Sequence, residues 1–278
     1  MIEEFYVRRL LDFLEEDVFP EDLTSRFLKG AEGRGLVLYK DGERGVLAGV
    51  RFIEPFLRHL GFEVSVNKSD GEAISKGDLI LVLKGHADKL LAVERLVLNL
   101  IARLSGVATA TNSMVRLARS VNPHVRIAGT RKTTPGLRVF EKYAIEIGGG
   151  DPHRFNLSDA VLIKDNHIAI YGDLERLIKA VKSGVSFTKR IQVEVSTYED
   201  AIKAYRAGAD ALLLDNMNLS EIERVVSELR GNLIVEVSGG ITPNNVVYYA
   251  RTGVDIISSG YITHSARWLD FSMDAERT

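Results

Sequence analysis

The sequence predicts an α/β fold in which strands and helices alternate, either an incomplete α/β barrel or an open doubly wound sheet. Three observations predict it: short apolar runs recur from Val125 onward, amphipathic segments separate them, and glycines stand where several segments should end. The apolar runs, which we expect to be parallel strands, are 125–128, 160–163, 191–195, 211–214, 233–237 and 255–258. The amphipathic segments, which we expect to be helices, are 173–183, 198–207, 219–229 and 243–252, with Gly208, Gly231 and Gly253 at three of their ends.

The first 120 residues do not show this alternation and predict a separate, smaller unit. We expect helices over 2–16 and 52–60 and strands over 36–39, 46–48, 62–66 and 79–83. Asp41 and Gly42 lie between the first two strands and predict a hairpin turn. From Asp88 to about Ser120 the residues are apolar on nearly every side, which predicts one long buried helix.

Polar or small residues stand at or near the C-terminal end of each predicted strand after Val125. These residues are Arg131, Lys132, Lys164, Glu194, Asp215, the run Ser238-Gly239-Gly240 and the pair Ser259-Gly260. An α/β barrel assembles its active site at the C-terminal ends of its strands, so the pattern predicts a single site at that face. Glycines at the last two strand ends suit a phosphate group bound by backbone N–H groups.

Composition excludes several other classes of function. The chain has 278 residues, a net charge of −2 and no cysteine, so disulfides, thiolate metal sites and cysteine nucleophiles are excluded. The charge gives no reason to expect binding to nucleic acid or to an anionic membrane. The six histidines form no zinc motif, and no apolar run approaches the roughly 18 residues of a membrane span. The N-terminus is acidic, so we expect a cytoplasmic protein.

Cations and flexible backbone are concentrated in the forty residues after the first predicted strand. Thr130–Arg138 contains three cations around a Pro-Gly turn, Gly148–Gly150 follows, and His153, Arg154 and Lys164–His167 add further basic groups. A solvated basic loop is the simpler interpretation of the first segment alone. The whole concentration instead favours a substrate that carries several negative charges.

Two carboxylates at successive strand ends suggest a second part of the site. Glu194 is polar within a buried strand, and Asp215 follows one strand-helix unit later, so the two should be neighbours. They could bind sugar hydroxyls, hold Mg²⁺ or stabilise positive charge at an anomeric carbon. An internal salt bridge from Glu194 to a lysine of the barrel is the structural alternative.

Lys164 at a strand end raises a different mechanism. A lysine in a barrel can form a Schiff base with a carbonyl substrate, as in aldolases. An aldolase does not need the dense cations around Arg131, Arg138 and Arg154. These cations favour a substrate with carboxylates and phosphates.

Several motifs together resemble the quinolinate phosphoribosyltransferase family, almost from end to end of the chain. They are Thr130–Gly136, Gly148–Gly150 with His153-Arg154, Leu162–His167, Leu214–Asn216, Glu236–Gly240 and Thr263–Ser265. Two positions depart from the family pattern. Gly129 stands where an acidic residue is usual, and Glu21-Asp22-Leu23-Thr24 stands where the family has Gly-Asp-x-Thr. The first departure leaves open how the loop of Arg131 is braced.

The resemblance implies a small N-terminal α/β sandwich lobe, residues 1–104 joined by 266–278, and an incomplete α/β barrel, residues 105–265. It also implies the reaction: quinolinate and phosphoribosyl pyrophosphate give nicotinate mononucleotide, pyrophosphate and CO₂, with Mg²⁺ required.

The resemblance further implies a role for each matching residue. Those resembling the groups that hold the two quinolinate carboxylates are Arg131, His153, Arg154 and Lys164. Those resembling the contacts to the phosphoribosyl group are Lys132, Glu194 and Asp215, and the two carboxylates are the candidates for contact with Mg²⁺. Those resembling phosphate-binding residues are Ser238, Gly239, Gly240, Ser259, Gly260 and His264.

Arg95 lies within the long apolar helix, where a guanidinium is rarely buried without an anion. Pairing with Glu94 or another carboxylate is one explanation. The family resemblance instead implies that Arg95 enters the active site of a neighbouring subunit, in a homodimer with shared sites.

Three alternative functions remain open. The first is a related phosphoribosyltransferase that takes a monocarboxylate such as nicotinate, or the molybdenum-associated relative that shares the Thr-Arg-Lys-Thr loop. Lys164-Asp165-Asn166-His167 favours the quinolinate enzyme over that relative. The second is a Schiff-base aldolase using Lys164, and the third is a non-catalytic sensor of sugar phosphates.

Overall fold

The computed structural model describes residues 2–278. The chain forms two compact units. The first ends at Ala110 and also contains Ala266–Thr278, and the second is Thr111–Ser265.

The first unit is built mainly from short strands that precede a long helix. Its elements are α1 (Ile2–Val18), β1 (Glu32–Tyr39), β2 (Gly45–Val46), α2 (Val50–His59), β3 (Glu63–Val66), β4 (Ala73–Ile74), β5 (Leu79–His86) and α3 (Ala87–Arg119), which continues past Ala110.

The second unit alternates strands with helices. Its elements are β6 (Arg126–Ala128), α4 (Arg138–Ile147), β7 (Val161–Ile163), α5 (Asp165–Tyr171), α6 (Leu174–Gly184), β8 (Ile191–Val195), α7 (Tyr198–Arg206), β9 (Ala211–Asp215), α8 (Leu219–Leu229), β10 (Ile234–Ser238), α9 (Val246–Arg251), β11 (Ile256–Ser258) and α10 (Tyr261–His264). The last strand, β12 (Phe271–Arg277), belongs to the first unit.

The first unit contains an antiparallel sheet in the order β12-β1-β5-β3. The predicted hairpin between 36–39 and 46–48 is wrong. β1 pairs with β5 along one edge and with β12 along the other, so it has no edge left for β2, which pairs with β4. The Asp41 carboxylate accepts a hydrogen bond from the Glu43 N–H at 3.3 Å and pairs with Arg267 at 2.9 Å, which makes this turn part of a loop.

The long helix α3 is buried along most of its length. Apolar side chains on it that are at most 2% exposed include Leu90, Val93, Val97, Ile101 and Leu104. The helix is buried as predicted except along one side, where Arg95 and Asn99 are exposed. These residues are four positions apart and therefore lie on one side of the helix.

The second unit contains a parallel sheet in the order β6-β11-β10-β9-β8-β7. From β7 to β11 the order follows the chain without the reversal of a doubly wound sheet, and β11 then pairs with β6 as it would in a barrel. Within residues 2–278 the ladder between β6 and β7 is missing. The predicted incomplete α/β barrel is therefore confirmed.

Local signals explain the helices of this unit. Thr197 and Asn218 cap α7 and α8 by accepting hydrogen bonds from the N–H groups of Asp200 and Glu221. Gly208, Gly231 and Gly253 have φ angles of +95°, +83° and +83°, as expected for glycines that follow helix ends. The sequence pattern had not predicted α4 as a helix.

Among residues 2–278, no helix combines the length and the hydropathy that a bilayer span requires.

Candidate active site

A cavity of about 670 Å³ opens at the C-terminal ends of the strands of the second unit. That volume lies within the usual range for small-molecule sites. The predicted site residues that line it are Arg131, Lys132, His153, Arg154, Lys164, Glu194, Asp215, Ser238, Gly239, Gly240, Ser259, Gly260 and His264. Strand ends that are far apart in sequence therefore meet at one site.

Four cations reach this cavity from three chain segments. Arg131 and Lys132 lie on the loop 129–137, Arg154 lies on the segment 151–155, and Lys164 precedes α5. Burial and the neighbouring Arg131 guanidinium lower the pKa of Arg154, whereas Glu194 raises it. Like charges held this close favour the binding of an anion.

The helix α4 supports both the loop 129–137 and the segment 151–155. Glu141 is fully buried, and its carboxylate accepts hydrogen bonds from the Thr134 N–H at 3.0 Å and the Thr134 hydroxyl at 2.8 Å. The Lys142 ammonium is 2% exposed and donates to the carbonyls of Arg154 at 2.9 Å and Pro152. The sequence pattern assigns neither side chain a role, because it predicts no helix over 138–147.

Arg138, which was expected among the substrate-facing cations, braces the protein instead. Its guanidinium donates to the Thr133 hydroxyl at 3.0 Å and to the Phe155 carbonyl at 3.4 Å. It therefore links the loop 129–137 to the segment 151–155, and it does not line the cavity formed by the described residues.

The surroundings of Gly129 show how the loop of Arg131 is braced without the acidic residue that is usual at this position. A Cβ at this position would lie 2.5 Å from Ile145 Cδ1, so the end of the Ile145 side chain would have to move to admit a larger residue. The Gly129 N–H donates to the Asp151 carbonyl at 2.8 Å. The loop is braced by close backbone packing together with Glu141 and Arg138.

His153 has an unusual conformation, with a φ of +57°. Its N–H donates to Asp151 Oδ1 at 2.7 Å, and its ring Nδ1 accepts the Arg154 N–H at 2.8 Å. Nε2 therefore carries the proton and donates it to Glu236 Oε2 at 3.2 Å. Both ring nitrogens are used within the chain, so a direct bond from His153 to a substrate carboxylate would require one of these contacts to break.

Glu236 is the main cavity residue to which sequence reasoning gave no role. It is 1% exposed, lines the cavity and accepts a second hydrogen bond from Gln192 at 2.6 Å. Burial alone raises the pKa of this carboxyl, but the hydrogen bonds from His153 and Gln192 bring it below its ordinary value. Its other oxygen, Oε1, has no hydrogen-bond partner among residues 2–278. The signal in the sequence was an acidic residue in an apolar strand, two positions before Ser238.

Glu194 forms a salt bridge with a lysine of the barrel, Lys164, which is the structural alternative to a role in substrate binding. The Lys164 ammonium lies 2.5 Å from Glu194 Oε2, and the Glu194 side chain is 11% exposed. Asp215 stands at the end of the neighbouring strand and accepts a hydrogen bond from the Asn216 amide at 2.8 Å. Because Lys164 also lines the cavity, this ion pair can exchange for contacts to a substrate.

No cluster of three or more acidic or histidine side chains suited to a metal occurs in the part of the chain that the structure describes. The carboxylates that line the cavity are those of Glu194, Asp215 and Glu236, and Glu236 Oε2 is already bound by His153 and Gln192. Mg²⁺ commonly binds through one or two carboxylates together with substrate phosphates, so this set fits such an ion and not a site made by protein ligands alone.

The glycines that follow β10 and β11 have no side chain, so a ligand can approach the backbone closely there. Gly239 has a φ of +104°, and a Cβ there would lie 2.2 Å from Asn216 Oδ1. A Cβ at Gly260 would lie 2.9 Å from the His264 ring and 3.0 Å from Lys132 Cδ. The hydroxyl of Ser259 is already engaged, donating to the Ile241 carbonyl at 2.6 Å.

Arg95, predicted to enter a neighbouring subunit's site, and His167 are not among the residues that line this cavity. Arg95 belongs to the first unit, where it is exposed and its guanidinium has no hydrogen-bond or ion-pair partner among residues 2–278. His167 is exposed, and its Nδ1 accepts the Lys164 N–H at 2.9 Å, which stabilises the start of α5.

Two family models match the chain over nearly its whole length. The model for the quinolinate phosphoribosyl transferase N-terminal domain matches residues 22–105, and the model for the C-terminal domain matches residues 107–274.

Individual relatives agree with these models. The chain is 52% identical over 257 residues to a probable nicotinate-nucleotide pyrophosphorylase (carboxylating) of Archaeoglobus fulgidus, covering 91% of this chain and 97% of the relative. A protein of the same description from Methanothermobacter thermautotrophicus is 47% identical, with 95% and 96% covered. The solved nicotinate-nucleotide pyrophosphorylase of Francisella tularensis superposes with a TM-score of 0.91 at 34% identity, covering 99% of this chain and 97% of that one.

The buried ammonium of Lys142 predicts a dependence of stability on pH. Burial and the nearby Arg138 and Arg154 lower its pKa to about 8, although Asp151 and Asp159 raise it. Between pH 8 and the pKa of a lysine in the unfolded chain, the unfolded state binds more protons, so the cost of burying this charge is relieved as the pH rises. The free energy of unfolding of the wild type should therefore increase relative to that of Lys142→Met, by at most about 1.4 kcal/mol per pH unit.

Urea unfolding at pH 7.5 and pH 10 measures this difference. Lys182→Met is the matched control, because Lys182 is exposed and also donates to a carbonyl, that of Gly208. The prediction would be contradicted if the difference in the free energy of unfolding between the wild type and Lys142→Met were the same at both pH values.

Proposed function

Because the chain belongs to the quinolinate phosphoribosyltransferase family, we propose that it transfers the phosphoribosyl group of phosphoribosyl pyrophosphate to quinolinate. The products are nicotinate mononucleotide, pyrophosphate and CO₂. The observation that carries the proposal is the cavity, which is lined by several cations, three carboxylates and two glycine-bearing strand ends. The cations suit the two carboxylates of quinolinate. The carboxylates of the cavity suit the ribose of the co-substrate, and the glycine-bearing strand ends suit its phosphates.

The cations of the loop 129–137 and the segment 151–155 are suited to hold quinolinate. We assign Arg131, Arg154 and Lys164 to its two carboxylates, since charge-assisted hydrogen bonds to carboxylates are the strongest that these side chains make. A bound carboxylate near Lys164 would compete with Glu194 for the ammonium. Substrate binding would thereby release the Glu194 carboxylate toward the ribose.

The transfer step breaks the bond between the anomeric carbon and the pyrophosphate oxygen, which keeps the electron pair. The lone pair of the pyridine nitrogen then forms the new bond to carbon. Glu194 and Asp215 stabilise the positive charge that develops on the ribose, and Lys132 stabilises the phosphates. Ser238, Gly239, Gly240, Gly260 and His264 provide the surface for the phosphate groups.

Decarboxylation follows from the charge that transfer creates on the ring. The bond from C2 to its carboxylate breaks, its electron pair stays on C2 beside the cationic nitrogen, CO₂ leaves, and C2 takes up a proton. Mg²⁺, when bound by the substrate phosphates and by Glu194 or Asp215, would neutralise charge on the departing pyrophosphate.

We also propose a homodimer in which Arg95 of each chain completes the site of its partner. Its support is that Arg95 is exposed and unpaired within residues 2–278, on a helix that is otherwise largely buried. An exposed guanidinium of this kind is available to an anion held by a second copy of the chain.

The Schiff-base alternative is less consistent with the site. The Lys164 nitrogen is engaged by the Glu194 carboxylate, whereas a Schiff-base lysine needs a free amine to attack a carbonyl carbon.

The first prediction of this proposal concerns substrate choice. Incubation with carboxyl-labelled quinolinate, phosphoribosyl pyrophosphate and Mg²⁺ should release labelled CO₂, and kcat/KM should exceed that for nicotinate by roughly 10⁴-fold or more, because a missing carboxylate leaves cations unpaired. Comparable kcat/KM values for the two acids would favour a monocarboxylate enzyme and contradict the proposal.

The second prediction concerns the shared site. Arg95→Ala and Glu194→Ala should each be nearly inactive. After subunit exchange, half the dimers should be mixed, each with one intact site, so the activity should return to about a quarter of the wild-type value. Verified exchange without any recovery would show that Arg95 does not act in a partner's site.

A further inference from the structure

Two adjacent residues of α4 carry opposite charges in the interior of the second unit. Glu141 is 0% exposed and Lys142 is 2% exposed. Ionisable side chains are rarely buried this completely, and a buried charge lowers stability unless its partners compensate. Neither residue is among those that line the cavity. A role in contact with the substrate therefore does not explain them.

The two side chains contact different cation-bearing segments. Neighbouring residues of a helix point about 100° apart, so Glu141 and Lys142 reach in different directions. Both oxygens of Glu141 bind Thr134, three residues after Arg131. The Lys142 ammonium donates to the carbonyls of Pro152 and Arg154, on either side of His153.

The segment 151–155 has a conformation that needs such support. His153 adopts a left-handed φ of +57°, which is unfavourable for a residue with a side chain. This conformation directs the carbonyls toward Lys142, while Arg154 lines the cavity and donates to the Ala160 carbonyl at 3.3 Å. An apolar side chain at position 142 would leave those carbonyls without the hydrogen-bond donor that they share.

We propose that Glu141 and Lys142 are positioning residues, which hold the loop 129–137 and the segment 151–155 at the spacing that lets Arg131 and Arg154 bind one substrate with two carboxylates. This inference rests on the proposed function. It assigns the selectivity for a dicarboxylate partly to a pair of charges behind the cavity wall.

The central experiment compares Lys142→Met with the wild type. The KM for quinolinate should rise at least tenfold, whereas the KM for phosphoribosyl pyrophosphate should change less than twofold, because the phosphate end of the cavity does not depend on the segment 151–155. By isothermal titration calorimetry, the preference for quinolinate over nicotinate should shrink by a similar factor. A smaller folded fraction would instead lower the apparent kcat and leave both KM values unchanged.

Glu141 provides a second variant with its own controls. Glu141→Leu should raise the KM for quinolinate, and Glu141→Gln should restore most of the affinity, because an amide oxygen can still accept the Thr134 N–H. Glu146→Leu is the matched control on the same helix, since Glu146 is exposed. Lys182→Met controls for the loss of a lysine that binds a carbonyl.

The absence of cysteine permits a direct rescue of the charge. Lys142→Cys, alkylated with 2-bromoethylamine in denaturant and refolded, regains an ammonium on a side chain of lysine length. Rescue of the quinolinate KM by this reagent, but not by a neutral ethylating reagent, is the expected result.

The wild type tests the inference even where the variants fail to fold. The Lys142 ammonium, which faces Arg138, Arg154, Asp151 and Asp159, has a pKa of about 8, so the KM for quinolinate should rise between pH 7 and pH 9 while that for phosphoribosyl pyrophosphate does not.

The outcomes separate the two proposals. An active wild type whose quinolinate KM is unchanged in Lys142→Met, or whose two KM values rise together, would overturn the positioning role alone. A wild type that releases no CO₂ from quinolinate would overturn the proposed function and this inference with it.

Discussion

The site depends on holding several like charges around one cavity. Lys164 is paired with Glu194, but Arg131, Lys132 and Arg154 repel one another until an anion binds, so the loop 129–137 and the segment 151–155 need partners behind the cavity wall. α4 supplies these partners through Glu141, Lys142 and Arg138, which bind backbone and hydroxyl groups and leave the substrate-facing cations available. Because these cations are not neutralised within the chain, they remain able to bind an anionic substrate.

The break in the barrel has a direct part in this arrangement. Because β6 does not pair with β7 in the described chain, its edge accepts the segment 151–155: the Asp151 N–H donates to the Ile127 carbonyl at 2.7 Å, and the Gly129 N–H donates to the Asp151 carbonyl. Arg154 extends from there to the Ala160 carbonyl, just before β7. The incomplete barrel therefore places a cation-bearing segment where a closed barrel would have a strand ladder.

The sequence predicted those parts of the molecule that are determined by short-range patterns. The strand 191–195 and the helix 219–229 agree with β8 and α8, because apolar runs and capping residues are local signals. The hairpin at Asp41 failed because distant strands occupy both edges of β1. Glu236 was likewise overlooked, since its partners Gln192 and His153 are 44 and 83 residues away in the chain. Sequence motifs predicted which residues line the cavity, but they did not predict the long-range contacts that support those residues.

A crystal structure of the protein with quinolinate bound would test the central claim most directly. The account predicts that the two carboxylates contact cations from both the loop 129–137 and the segment 151–155, with the ring nitrogen directed toward Glu194 and Asp215. It also predicts that Lys142 keeps its carbonyl contacts in the complex. Quinolinate bound at the glycine-bearing end near Ser238, or held by one of the two segments alone, would contradict it.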